Sequence, residues 1–182
     1  MNSELIMKVN PFYYREARLL DERCYQQWLA LLSDKIEYTV PARHVAQLDN
    51  AKRETEAFLN REQEFSNQLL ENGMEPPIRD EKYLHLMIRV MRSLKMIAWT
   101  ENPPARTRRF VSNIEIVSEK ENTIDVYSNT LLYYSRHEHD NYLYSYQRQD
   151  VLEKQPTDFR LLKRVVLLDN VVINSPSAGL FF

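Results

Sequence analysis

The sequence predicts an α+β chain in which N-terminal helices pack on a long, curled antiparallel sheet. Two changes of texture carry this expectation. Apolar residues recur with a helical period up to Leu32 and again over 80–95, and after Pro103-Pro104 the period becomes two and stays there. Strands as long as those after Pro104 must twist, and a curled sheet leaves a concave side for helices to fill. One domain over residues 1–182 is the expected organisation, with 45–79 as a surface excursion.

Each element has its own signal. Pro11 suits a first helical turn. Phe12, Leu19 and Leu20 form one apolar stripe, and Tyr25, Trp28, Leu29 and Leu32 form a second at i, i+3, i+4, i+7. The polar break Asp21 to Arg23 separates them into two short helices. Ile36, Tyr38 and Val40 then alternate with Lys35, Glu37 and Thr39 as a half-buried strand that stops at Pro41. Within the polar excursion, Glu54 to Leu70 reads as an amphipathic helix, ended by Asn72-Gly73 and Pro76-Pro77. Asp80 is expected to cap the next helix, with Leu84, Met87, Ile88, Met91 and Leu94 as its buried stripe and Lys82, Arg89, Arg92 and Lys95 mostly facing out. Four strands follow, at Arg108 to Val117, Thr123 to Ser135, Tyr142 to Leu152 and Phe159 to Ile173. The last is apolar on both faces, as a central strand or one covered by a neighbouring subunit would be.

Composition narrows the function. Lys and Arg number 24 against 26 Asp and Glu, a net charge of −2, which gives no field to recruit nucleic acid or anionic lipid. Cys24 is the only cysteine, so no disulfide framework and no multi-cysteine metal or iron–sulfur site can form on one chain. Gly73 and Gly179 are the only glycines, too few for a phosphate-cradling loop or a dinucleotide fingerprint. No apolar run approaches the roughly 20 residues of a membrane-spanning helix. The first ten residues lack a signal-peptide core, so a cytoplasmic location is expected.

Four constellations are candidates for chemistry or contact. His137 and His139 lie two apart, which on a strand puts both rings on one face as metal ligands need; a solvated hairpin end is the plain alternative. Asp21, with Tyr13, Tyr14, His85 and Asp169 as companions, would make a base–acid group inside the sheet's concave side, although a carboxylate at a helix end also serves as a cap. A stand-alone isomerase or dehydratase built on Asp21, or a module binding a small apolar ligand, are the rival functions on this reading. Arg106, Arg108 and Arg109, near Trp99, form a basic cluster suited to ion pairing between subunits. Tyr142, Tyr144 and Tyr146 alternate onto one face, fitting either a chain–chain interface or the inner wall of the curled sheet.

Several segments, in order, resemble the small (beta) subunit of Rieske-type aromatic ring-hydroxylating dioxygenases, in the biphenyl, cumene and phenylpropionate group. They are FYYREARLLD over 12–21, WLALL over 28–32, IEYTVP over 36–41 with Arg43, WTENPPARTRRFVSN over 99–113, RVVLLD over 164–169, and the final Phe181-Phe182. The resemblance implies the cystatin-like, or nuclear transport factor two-like, cone. It also implies a non-catalytic structural subunit of an oxidoreductase, one of three beta chains in an α3β3 terminal oxygenase. The alpha partner of such complexes carries the Rieske 2Fe–2S cluster and a mononuclear Fe(II). Electrons from NADH pass through a reductase and a ferredoxin, and O2 adds to the aromatic ring as a cis-diol. No catalytic, cofactor-binding or metal-ligating residue is expected on this chain. The residues expected at subunit interfaces are Trp99, Arg106, Arg108, Arg109, Tyr142, Tyr144, Tyr146, Phe181 and Phe182.

Overall fold

The computed structural model describes residues 3–43, 76–94, 104–137, 140–170, 173 and 180–182. Two helices lead, α1 (Ser3–Asp21) and α2 (Tyr25–Leu29), followed by strand β1 (Leu32–Val40). Next come β2 (Arg79–Lys82), α3 (Tyr83–Ser93), β3 (Arg106–Glu119), β4 (Thr123–Arg136), β5 (Asp140–Lys154) and β6 (Phe159–Leu168). The predicted helix over Glu54–Leu70 lies outside the described residues.

Helix α1 begins eight residues before Pro11, so the proline sits inside it and not in its first turn. The upstream residues carry the helix because Leu5, Val9 and Phe12 continue one apolar stripe, and burying Val9 and Phe12 offsets the one hydrogen bond that proline removes. The helix stops where the polar break was expected. Arg23 takes a left-handed conformation (φ 60°), Cys24 N–H donates to the Leu19 carbonyl at 2.8 Å, and Arg23 N–H donates to Leu20 at 3.2 Å. This is a helix-ending motif that glycine normally fills. Arg23→Gly is therefore expected to raise stability by up to about 1 kcal/mol in thermal unfolding, since it removes the steric penalty of a Cβ at positive φ.

The six strands form one sheet in the order β2-β1-β6-β5-β4-β3. Four of its five pairings are antiparallel, but β1 runs parallel to β6, so the sheet is mixed and not wholly antiparallel. Strand β6 is central, as its two apolar faces implied. Its side-chain alternation does not run straight through. Lys163 pairs with Val151 and Leu161 with Leu152, leaving Leu162 as an extra residue. After this bulge the buried positions are 164, 166 and 168 in place of 163, 165 and 167. The bulge turns Arg164 into the interior.

Helix α3 contradicts the sequence reading twice. Asp80 lies in β2, and the helix is capped at Lys82, whose backbone N–H donates to His85 Nδ1 at 3.1 Å. The predicted stripe of Leu84, Met87, Ile88, Met91 and Leu94 is turned outward, with 36–57 % of each residue exposed, whereas Leu86 and Val90 are buried. The reason is Arg89. Its guanidinium lies 4.2 Å from the Phe181 ring centroid, pairs with Glu81 at 2.5 Å and donates to the Leu180 carbonyl at 2.6 Å. Those contacts fix the rotation of the helix and turn its most apolar face away from the sheet.

Candidate functional site

The concave side of the sheet is where a fold of this shape would place a binding or catalytic cavity. Here a closed ionic network occupies it. Glu16 comes from the middle of α1, four residues after Phe12 and four before Leu20, so it sits in the buried stripe. Arg148 and Asp150 come from β5, on the same face as Tyr144 and Tyr146, and the bulge in β6 supplies Arg164. All four are at most 2 % exposed.

The two carboxylates and two guanidiniums balance in charge. Arg164 Nη1 and Nη2 donate to the two oxygens of Glu16 at 2.7 and 2.9 Å, a bidentate pair. Its Nε and Nη2 donate to Asp150 at 2.9 and 2.8 Å. Arg148 Nη1 donates to Glu16 at 3.0 Å and its Nε to Ser128 at 3.2 Å. Trp28 Nε1 donates to Glu16 at 3.2 Å, and the Tyr13 hydroxyl donates to Asp150 at 2.9 Å. Burial alone would raise the pKa of Glu16, but the Arg164 and Arg148 guanidiniums outweigh it and hold the carboxyl at about 2. Burial, reinforced by the Asp150 charge, pushes the Tyr13 phenol well above its usual value. These groups are locked in their charge states at neutral pH, the opposite of an acid–base catalyst poised to exchange a proton.

A pH prediction follows. The folded pKa of Glu16 lies below its ordinary value of 4.5, so its contribution is fully present above about pH 5 and disappears as pH falls through 2. Unfolding free energy measured by denaturant titration should fall over that window, and Glu16→Gln should flatten the fall.

Phe181 and Phe182 close the interior from the other side. The Phe181 ring packs 4.7 Å from Trp28 and 5.4 Å from Tyr25. Phe182 sits edge-on to Tyr146 and Tyr144 at 5.4 and 6.0 Å. Its carbonyl accepts from the Tyr38 hydroxyl at 2.9 Å and from Arg164 at 3.2 Å.

The candidate catalytic residues are not brought together. Asp21 accepts from the Thr107 hydroxyl at 3.0 Å, from Arg109 backbone N–H at 2.8 Å and from the Arg109 guanidinium, so it pins the edge strand β3 to the end of α1. His85 caps α3, while Asp169 pairs with Arg43 at 2.9 Å and accepts from Ser145 at 2.7 Å. Tyr14 is exposed on α1. His137 is exposed at the end of β4, with φ 55°, and His139 lies outside the described residues.

The interface candidates divide by burial. Arg109, Tyr144, Tyr146, Phe181 and Phe182 are at most 8 % exposed within this chain's own core, so the structure places them in the inner wall and not at a surface. The strand period explains this, since it puts Arg109 on the face opposite Arg106 and Arg108, which are exposed. Tyr142 is half-buried, stacked 6.2 Å from Tyr144, and Trp99 lies outside the described residues.

A Rieske cluster needs two thiolates and two imidazoles, and the single Cys24 cannot supply that set. Cys24 is half-buried, with Sγ 3.9 Å from the Glu22 carbonyl. Among the described residues no three His, Cys, Asp or Glu side chains converge as a metal site, and no helix is long and apolar enough to cross a membrane.

Comparison with known proteins completes the picture. The family described as "Ring hydroxylating beta subunit" matches residues 15–175. The beta subunit of benzene 1,2-dioxygenase from Pseudomonas putida F1 is 28 % identical over 182 residues, covering 98 % of this chain and 89 % of that one. The beta subunit of biphenyl 2,3-dioxygenase from Rhodococcus jostii RHA1 is 30 % identical over 178 residues, covering 96 % and 87 %. In fold, a solved structure of naphthalene 1,2-dioxygenase with indole bound in its active site superposes with a TM-score of 0.79 at 20 % identity, covering 100 % of this chain and 88 % of that one. With a family match over most of its length and relatives aligned nearly end to end, this chain belongs to the beta subunits of aromatic ring-hydroxylating dioxygenases.

Proposed function

We propose that the chain is the structural, non-catalytic small subunit of a terminal oxygenase that adds O2 across an aromatic ring, as the names of its benzene and biphenyl dioxygenase relatives suggest. Its companion is a larger subunit holding a Rieske 2Fe–2S cluster and mononuclear Fe(II), in an α3β3 assembly in the cytoplasm, with a reductase and a ferredoxin delivering electrons from NADH. The observation that carries this reading is the interior. An enzyme on this fold needs an open pocket with a titratable group, and this chain fills that space with Glu16, Arg148, Asp150, Arg164 and two phenylalanines. The outward apolar face of α3 supports it further, because a face of that kind belongs against another chain. We place Arg106, Arg108, Tyr142 and Trp99 at subunit contacts.

Affinity purification from the native host tests the proposal. The expected result is a coloured, iron-containing partner of larger mass; recovery of this chain alone, with turnover of a small molecule that is lost on Asp21→Asn, would overturn it. With the partner present, Asp21→Asn should lower thermal stability by on the order of 1–3 kcal/mol, since Arg109 loses its counter-charge, while turnover per iron stays unchanged.

A further inference from the structure

Leu180, Phe181 and Phe182 belong to no helix or strand, and among the described residues no backbone-to-backbone hydrogen bond joins them to the rest of the chain. Side chains hold them instead. The Leu180 carbonyl accepts from Arg89 Nη2 at 2.6 Å, the Phe181 carbonyl from Arg109 Nη2 at 2.5 Å and the Phe182 carbonyl from Arg164 Nη1 at 3.2 Å. Three successive carbonyls are thus met by three arginines, one each from α3, β3 and β6. The Tyr38 hydroxyl, on β1, donates to the Phe182 carbonyl and accepts from the Phe182 N–H, both at 2.9 Å.

Each ring has its own pocket. Phe181 lies among Tyr25 and Trp28 of α2 and the Arg89 guanidinium, and Phe182 faces Tyr144 and Tyr146 of β5. Main-chain bonds with side-chain pockets between them are how proteins take up an extended peptide: the bonds give affinity and the pockets give specificity.

The site keeps its shape without the segment. Arg89 pairs with Glu81, Arg109 with Asp21, and Arg164 with Glu16 and Asp150. Lifting the segment out therefore leaves every one of these guanidiniums with a carboxylate, so no buried charge is stranded. No strand pairing is lost either, since the described strands pair only with one another. What opposes release is the burial of two phenylalanine rings and the bonds to three carbonyls.

We infer that this is a peptide-binding site, filled in cis by Leu180–Phe182. It takes an extended apolar peptide with two adjacent aromatic side chains, and it exchanges that peptide while the sheet stays folded. Arg89 ties the site to α3, so occupancy and the rotation of that helix are linked.

Hydrogen exchange on the unaltered chain is the first test. The Phe182 amide should exchange at least about tenfold faster than the paired amides of β4 and β5, through an opening that leaves those strands protected. Exchange at the same rate as the strands would mean that the segment leaves only on global unfolding, and the inference would be wrong. The second test supplies the peptide from outside, to the full chain carrying Phe181→Ala and Phe182→Ala. Acetyl-Leu-Phe-Phe amide at tenfold over its Kd should raise the unfolding midpoint of this variant by about 3–5 °C. The same peptide should leave the parent, whose site is filled, unchanged. Acetyl-Leu-Ala-Ala amide should have no effect on the variant, and adding Arg89→Met should weaken binding of the aromatic peptide by about tenfold. No rise with the aromatic peptide, or an equal rise with the alanine peptide, would overturn the inference. Should the double variant not fold, the exchange measurement decides alone.

Discussion

Glu16→Ala is expected to destabilise the folded chain by roughly 3–5 kcal/mol, enough to remove a large share of the stability of a domain this size. The carboxylate receives four hydrogen bonds, two from Arg164 and one each from Arg148 and Trp28. Removing it leaves the buried cluster with an excess positive charge. Arg164 keeps Asp150, but Arg148 keeps only Ser128 and the face of Tyr13, 5.1 Å from its ring centroid. The loss is thus mainly the penalty of a stranded guanidinium. Glu16→Met with Arg148→Met removes both members of that pair and should recover much of the loss, because an apolar pair of similar volume can replace a buried ion pair at little net cost. Denaturant titration of the four proteins closes the double-mutant cycle. A double variant as unstable as the sum of the singles would show that the network is not coupled.

Phe182→Ala should cost roughly 3–5 kcal/mol by a different route, cavity formation. The ring is 4 % exposed and packs edge-on against Tyr144 and Tyr146. The backbone bonds from Phe182 N–H to the Tyr38 oxygen and from Tyr38 and Arg164 to the Phe182 carbonyl involve no side-chain atom of Phe182 and are retained. The melting temperature should fall by about 10 °C on the usual scaling for a chain of this length. A shift of only a degree or two would mean that Phe182 is not the plug the structure describes.

Much of this arrangement was legible in the sequence, and the parts that were not have physical causes. Alternation after Pro104 located β3 to β5 within two residues at each end. It also contained an unread signal: the face that carries Tyr144 and Tyr146 continues through Arg148 and Asp150, which places a buried ion pair on β5. Glu16 inside the stripe of Phe12 and Leu20 was the matching clue on α1. Arg164 was out of reach, because a bulge at Leu162 has no composition of its own and reverses every side chain after it. The parallel pairing of β1 with β6 depends on residues far apart in sequence, which periodicity does not report. Helix α3 failed for an energetic reason. Hydrophobicity picks its most apolar face, but the structure buries the face whose arginine serves Phe181, Glu81 and Leu180.

The central claim is that this chain shapes and supports a complex whose oxygen chemistry is done by another subunit. The most direct measurement is iron content and aromatic turnover of the chain purified alone, set beside the same chain co-expressed with its large partner and supplied with NADH, O2 and electron-transfer proteins. The account predicts no bound iron and no product from the chain alone, and iron with diol product from the assembled complex. Stoichiometric iron held by the isolated chain, or product formed without a partner, would contradict it.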